Sequence, residues 1–399
     1  MPLDLPPTRA AGLARLERFV PRAGRDYAER RNLDLSEEGH PHVSVLSPYV
    51  RHRLVTEAEV LGAILERHGP SAAQKAIQEV FWRTYFKGVL ELRPSLWTDY
   101  LRGLSEGLDG LTGDRRAAYE AAVQGRTGIE NFDHWARELA EANYLHNHAR
   151  MWFASIWIFT LRLPWELGAD VFLRHLLDGD AASNTRSWRW VAGLQTRGKH
   201  YLARGANIST YTRERFAAET GLDERAAPLE GPPLPEVTPF APPEQVEPAG
   251  RWGALLHEDD LSPGFLPGVA GRAATAALAV PAGRSPLGVS EAVAGWVRGA
   301  AEDALSRHGP GPVLEGPEAV ADWTLREGLD LVVAPYAPTG WTRSALMRAE
   351  RMLADRGVGL VQQVRPLDAA AWPQATDGFF RFRKAIPDLL QNAAAHSVA

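Results

Sequence analysis

The stretch Arg225–Gly250, RAAPLEGPPLPEVTPFAPPEQVEPAG, divides the chain. Pro228, Pro232, Pro233, Pro235, Pro239, Pro242, Pro243 and Pro248 each lack an amide donor and fix φ, so almost no room remains for helix or sheet. The composition predicts a semi-extended linker over 225–250. Upstream, apolar residues recur at three- and four-residue spacing in Glu57–His68, Ala72–Leu90, Arg115–Val123, Phe132–Glu141 and His148–Leu161. That period predicts an all-α domain over 1–224. Downstream, short apolar runs (Gly253–Leu256, Ala274–Val280, Pro312–Leu314, Leu329–Ala334, Val358–Val364) alternate with amphipathic stretches (Val289–Arg307, Pro317–Glu327, Thr342–Arg356). Such alternation predicts a Rossmann-like α/β domain over 251–399 built on a parallel sheet. Neither G-x-G-x-x-G after its first strand nor G-x-x-x-x-G-K-[ST] occurs, so no phosphate cradle is visible there.

Composition narrows the chemistry. The 399 residues contain no cysteine, which excludes disulfides, thiolate nucleophiles and cysteine-held metal clusters. Apolar residues make up 45% and charged residues 23%, with no apolar run long enough to span a bilayer; the expected class is a soluble protein with a cytoplasmic address and no membrane partner. A net charge of −5, from 44 basic and 49 acidic residues, excludes a globally basic nucleic-acid binder and leaves room for a local basic face. One such rim is expected at Arg186, Arg189, Arg197, Lys199, His200 and Arg204.

Three clusters carry candidate chemistry. In LLDGDAASNTRSWRWVA, Leu176–Ala192, Asp178 and Asp180 flank a glycine ahead of Asn184, Trp188 and Trp190. Two carboxylates there need partners, either as a helix cap or as ligands of a polar heterocycle or ribose. In YLHNHARM, helical spacing would place Tyr144, Asn147, Arg150 or Met151 and Ala154 on one face, a composition that suits a cavity wall. His146 and His148, two residues apart, do not form a metal-binding pair, and no metal is expected. In EVFWR, Glu79 faces both Trp82 and Arg83.

Taken in order, these pieces resemble the flavin-binding domain of the DNA photolyase and cryptochrome family from about Pro7 to Thr212. The series comprises the tyrosine segment around Tyr27, the loop Ser44-Val-Leu-Ser47-Pro-Tyr49, the Glu79–Arg83 helix, Thr127-Gly128 leading to Asp133, the His-Asn helix with Arg150 and Met151, and the Asp-Gly-Asp loop with Asn184. The resemblance implies FAD as cofactor. Tyr27, Ser44, Leu46 and Ser47 would hold its diphosphate and ribityl chain, and Arg83 would lie alongside it. Arg150 and Asp178 would pair beside the isoalloxazine, Asp180 would bond near the ring or adenosine, and Asn184 would face N5; Asn147 counts with both the cofactor and the DNA site. Glu79, Trp82, Asn147, Met151 and Trp190 would surround a flipped pyrimidine dimer, and Trp188 and Trp165 would pass electrons to the flavin.

The implied activity is blue-light repair of cyclobutane pyrimidine dimers in DNA, single-stranded DNA included. A cryptochrome-like photoreceptor without repair activity is the alternative. Departures from the family pattern are Val45 for the usual loop arginine, Tyr144 for a common tryptophan, no tryptophan near Gly113, and His148 for the usual dimer-pocket arginine. In the second half, Gly253–Leu261, Val313–Asp322, Leu331–Tyr336 and Phe379–Arg383 resemble a degenerate form of the family's antenna domain, here following the flavin domain. The resemblance names no antenna chromophore and no protein partner.

Overall fold

A computed structural model describes residues 3–196, 198–218 and 221–396, with side chains as far as residue 391. Two compact units form, each assembled from several stretches. One draws mainly on Arg25–Val43 and Ser95–Glu236, the other on Leu5–Gly24, Ser44–Pro94 and the chain from Val237 onward. Between residues 226 and 249 there is neither helix nor strand.

The first unit is helical. Its main helices are Ser95–Asp109, Gly113–Val123, Glu130–Ala142, Asn147–Ser155, Trp165–His175 and Ala181–Ala192. Local chemistry sets their ends. Asp180 accepts from the Ser183 amide at 2.8 Å and starts the last of them, while Gly193, at φ 84°, closes it. Asn143, at φ 53°, ends Glu130–Ala142. Tyr144 therefore lies outside the helix that sequence spacing assigned it to. That helix starts at Asn147, because the His146 ring accepts from the His148 amide at 3.2 Å and occupies the cap. Trp135, Trp152, Trp157 and Trp188 are fully buried. Gly168 makes room for two of these indoles: a Cβ there would stand 2.3 Å from Trp188 and 2.9 Å from Trp157.

The second unit holds a five-stranded parallel sheet: β1 Trp252–His257, β2 Ala274–Leu278, β3 Val313–Leu314, β4 Leu331–Pro335 and β5 Gly359–Gln363, in spatial order β3-β2-β1-β4-β5. Gly253 sits opposite Ala274 on one side and Val332 on the other. All six residues of β1 are buried, which explains its unbroken apolar run; a strand covered on both faces has no reason to alternate. Helices Glu291–His308, Pro317–Arg326 and Trp341–Ala354 form the crossovers. Helices Glu57–Arg67 and Gln74–Leu92 belong to this unit too, the first opened by a capping box between Thr56 and Glu59.

Candidate functional site

The candidate residues fall into two groups, one in each unit. In the helical unit, Arg150 donates to Asp178 at 2.9 Å and to the Leu145 carbonyl at 3.0 Å, and its guanidinium lies 5.5 Å from the Tyr144 ring. The second carboxylate oxygen of Asp178 is buried and has no hydrogen-bond partner among the described residues. Such an acceptor fits a ligand that brings an N–H or O–H. Asp180 caps its helix. Asn184 is buried and donates its side-chain amide to the Ala169 carbonyl at 2.8 Å. Asn147 is exposed at the first position of its helix, Met151 is half-buried, and Tyr27 lies half-buried in the short helix Arg25–Arg30.

The tryptophans divide by environment. Trp188 is buried with its N–H unpartnered among the described residues, and its ring meets Trp157 edge-on at 6.4 Å. Trp157 meets Tyr119 edge-on at 6.0 Å. Trp165 has Tyr100 at 5.8 Å and the Arg189 guanidinium 5.9 Å from its ring. Trp190 is 37% exposed and stacks on Tyr201 at 5.8 Å.

The expected basic rim is corrected in part. Arg186 and Arg189 are buried, because the period of Ala181–Ala192 turns them inward. Lys199 and Arg204 are exposed, and Arg197 lies outside the described residues.

A polar cluster in this unit was not singled out in the sequence. Asp34, fully buried, accepts from Trp135 at 3.2 Å and Arg215 at 2.8 Å, while His40 stands 3.6 Å from Glu138. Burial raises the Asp34 carboxyl, against the pull of Arg215. Burial would also raise Glu138, but bonds from His134 and His40 outweigh it and hold it at about 2. Burial pushes His146 down to about 3, and its ring bonds the Arg31 carbonyl at 3.0 Å. His148 is likewise lowered by burial; it stacks on Trp152 at 4.1 Å and bonds the Asn32 carbonyl at 3.1 Å and Tyr201 at 3.3 Å. Among the described residues no group of histidine and carboxylate side chains is arranged to hold a metal ion.

In the sheet unit, the loop from Ser44 to Ser47 has Val45 at φ 50° followed by Leu46 in the right-handed region, with the Ser44 hydroxyl accepting from the Leu46 amide at 3.3 Å. Consecutive left- and right-handed residues turn backbone amides toward one concavity, an arrangement suited to anions. The Ser44 hydroxyl already takes the Leu46 amide, so a phosphate could use only the remaining backbone amides of the loop, and Val45 contributes no side-chain donor.

The short helix Ser47–Arg51 leads from the loop into Arg51-His52-Arg53. Arg53 is buried at φ 51° and pairs with Glu57 at 3.1 Å, Asp260 at 3.0 Å and Asp368 at 2.6 Å. Arg83 pairs with Glu57 and donates to the Arg51 carbonyl at 3.2 Å. In open parallel sheets the ligand position lies beyond the carboxyl ends where strand order reverses. Here that is the β1/β4 crevice, and the acidic residues that follow β1 are paired with the protein's own groups. Glu258 accepts from Trp341 at 2.8 Å and lies 3.8 Å from Arg284, Asp259 pairs with Arg51, and Asp260 accepts from Arg365 at 2.5 Å. The signal for this network was present in the sequence as two oppositely charged runs, 51–53 and 257–260, each beside apolar residues.

Glu79 and Trp82 sit half-buried on helix Gln74–Leu92. Phe379 stacks on the Trp82 indole at 3.6 Å and 11°. Only the opposite face of the ring is left for any further stacking partner.

Residues 76–217 match the family model described as the FAD binding domain of DNA photolyase. The chain is 32% identical over 193 residues to the deoxyribodipyrimidine photo-lyase of Synechococcus sp., covering 47% of this chain and 39% of that one. It is 31% identical over 217 residues to the enzyme of the same name from Streptomyces griseus, covering 49% and 46%. A crystal structure of a bacterial class III photolyase from Agrobacterium tumefaciens superposes with a TM-score of 0.44 at 25% identity, covering 54% of this chain and 47% of that one. The chain spans less than half the length of these two relatives. Among the described residues no helix is long and apolar enough to cross a membrane.

Proposed function

We propose that this protein binds FAD and uses blue light to split cyclobutane pyrimidine dimers in DNA. The observation that carries the reading is the match of residues 76–217, because that one stretch includes both the Glu79–Arg83 segment and the Asn147–Trp190 region. Bound FAD would supply a light-driven one-electron donor. The residues proposed to hold it are Tyr27, Ser44, Leu46, Ser47, Arg83, Asn147, Arg150, Asp178, Asp180 and Asn184. The unpartnered Asp178 oxygen and the anion-suited turn at Val45–Leu46 support that set. The Arg150 guanidinium orients Asp178 through its hydrogen bond, and the bond to Ala169 holds the Asn184 amide in one rotamer. Glu79, Trp82, Asn147, Met151 and Trp190 are proposed to receive the flipped dimer, the indoles by stacking. Trp188 and Trp165 are proposed as electron carriers. The domain division proposed is 1–224 for flavin and DNA, 225–250 as linker, and 251–399 as a Rossmann-like, antenna-derived domain.

The second reading, a photoreceptor without repair, is favoured by His148. Where the family's dimer pocket has an arginine, this ring is held to the Asn32 carbonyl and Tyr201, and burial disfavours its charged form. The test is purified protein supplied with FAD, illuminated with blue light and a reductant, then given UV-treated oligothymidine. Dimer loss that Glu79→Ala cuts strongly while flavin photoreduction persists supports the lyase. Photoreduction without dimer loss turns the reading to the receptor, and a protein that takes up no FAD refutes both.

A further inference from the structure

The segment that packs on Trp82 has two opposite sides. Phe379 and Phe382, three residues apart on the short helix Phe379–Phe382, are both buried: the first lies on Trp82, and the second stands 5.4 Å from Tyr85 and 6.3 Å from Phe81. Phe380 is 75% exposed, by a wide margin the most exposed large apolar side chain described. The Arg383 guanidinium lies 5.5 Å from its ring, again three residues along, so the two form one outward pair. Arg381 and Lys384 are exposed beside them, Arg381 bonding Asp377 at 2.7 Å. The segment is pinned from beneath by Tyr85, which donates to the Asp377 carbonyl at 2.7 Å, and by Arg93, which donates to the Thr376 carbonyl at 2.7 Å.

A single exposed phenylalanine is ordinary. This one differs in being held by a rigid aromatic base, topped by a guanidinium, and set among cations. A flat π surface beside point charges suits a base beside its phosphates, whereas an apolar protein patch would gain little from three cations in four residues. The same aromatic stack that covers one face of Trp82 thereby fixes the direction of Phe380.

We propose that Phe380 and Arg383 form a nucleic-acid contact in which the ring face away from the Arg383 guanidinium stacks on an unpaired base and Arg383, with Lys384, holds the flanking phosphates. This inference rests on the DNA reading of the same protein and adds a contact outside the flavin-domain residues. The occupant is single-stranded or locally opened DNA.

The test is fluorescence anisotropy of the full chain with fluorescein-labelled, UV-treated oligothymidine at several salt concentrations. Phe380→Ala is expected to weaken binding about tenfold with little change in salt slope, the size of one lost base stack. Phe380→Trp is expected to retain affinity. Arg383→Ala is expected to weaken binding and lower the salt slope by about 0.7, one phosphate contact on a single strand. Both side chains are exposed, so an unchanged melting temperature and flavin spectrum should accompany each variant. Wild-type binding that Phe380→Ala leaves within twofold overturns this proposal alone and points the patch toward a protein partner. A wild-type chain that takes up FAD but binds no oligothymidine overturns this contact together with the DNA reading.

Discussion

The two units bury their most demanding groups in opposite ways. The helical unit packs Trp135, Trp152, Trp157 and Trp188 beside one polar cluster of Asp34, Arg215, His40 and Glu138, and fixes its candidate residues by caps, ring contacts and the Arg150–Asp178 pair. The sheet unit buries Arg51, Arg53 and Arg284 against Glu57, Glu258, Asp259, Asp260 and Asp368, and fixes the segment after its anion-suited loop by charge. Apolar packing is tolerant of pH and sensitive to volume. Buried ion pairs are the reverse, since each charge was desolvated and depends on its partner.

The largest effect that would break this contrast is expected from Arg53→Gln. Removing the guanidinium leaves three buried carboxylates without their shared cation, at a cost of about 3–5 kcal/mol. Urea unfolding followed by circular dichroism measures it; a loss below 1 kcal/mol would mean the network is dispensable.

Acid titration separates the units next. Burial would raise Glu57 and Asp260, but Arg53 and Arg83 on one and Arg365 on the other outweigh it and hold both at about 2. With folded values below the unfolded ones, their stabilisation is complete above about pH 4.5 and is lost as pH falls toward 2, on the order of 2 kcal/mol each. Asp368, raised by burial, works in the opposite direction and trims the total. Hydrogen exchange at pH 3 against pH 6 should show residues 252–363 losing protection ahead of 147–192. Equal loss in both stretches would erase the contrast.

The third prediction addresses volume. Gly168→Ala forces a methyl against two indoles and should cost about 1–3 kcal/mol at pH 7, with a change in near-UV circular dichroism as Trp188 and Trp157 move. An unperturbed near-UV spectrum would show that the packing there is loose.

Periodicity made most elements legible. The predicted stretches Ala274–Val280 and Val289–Arg307 correspond to β2 at Ala274–Leu278 and a helix at Glu291–His308, because both elements bury whole faces and so impose their spacing on the chain. Tyr144 departs from the helix its spacing predicts for a local reason. Its apolar spacing continues the next helix, and only the ring of His146, by taking the His148 amide, decides where that helix begins. Arg186 and Arg189 are buried where composition predicts surface cations, because a charged side chain in the sequence gives no sign that it turns inward.

The sequence by itself determined the division into a helix-rich half and a βα-alternating half, the absence of cysteine chemistry, and the order of the motifs that resemble a flavin domain. Those properties are local or compositional. Only the tertiary structure decided that Arg51–Arg53 would be met by Glu258–Asp260 some two hundred residues away, that Phe379 would cover one face of Trp82, and that Phe380 would be left pointing to solvent. Each depends on which surfaces meet when the chain closes on itself. A charge or a ring carries no record of its partner until burial removes water as the alternative.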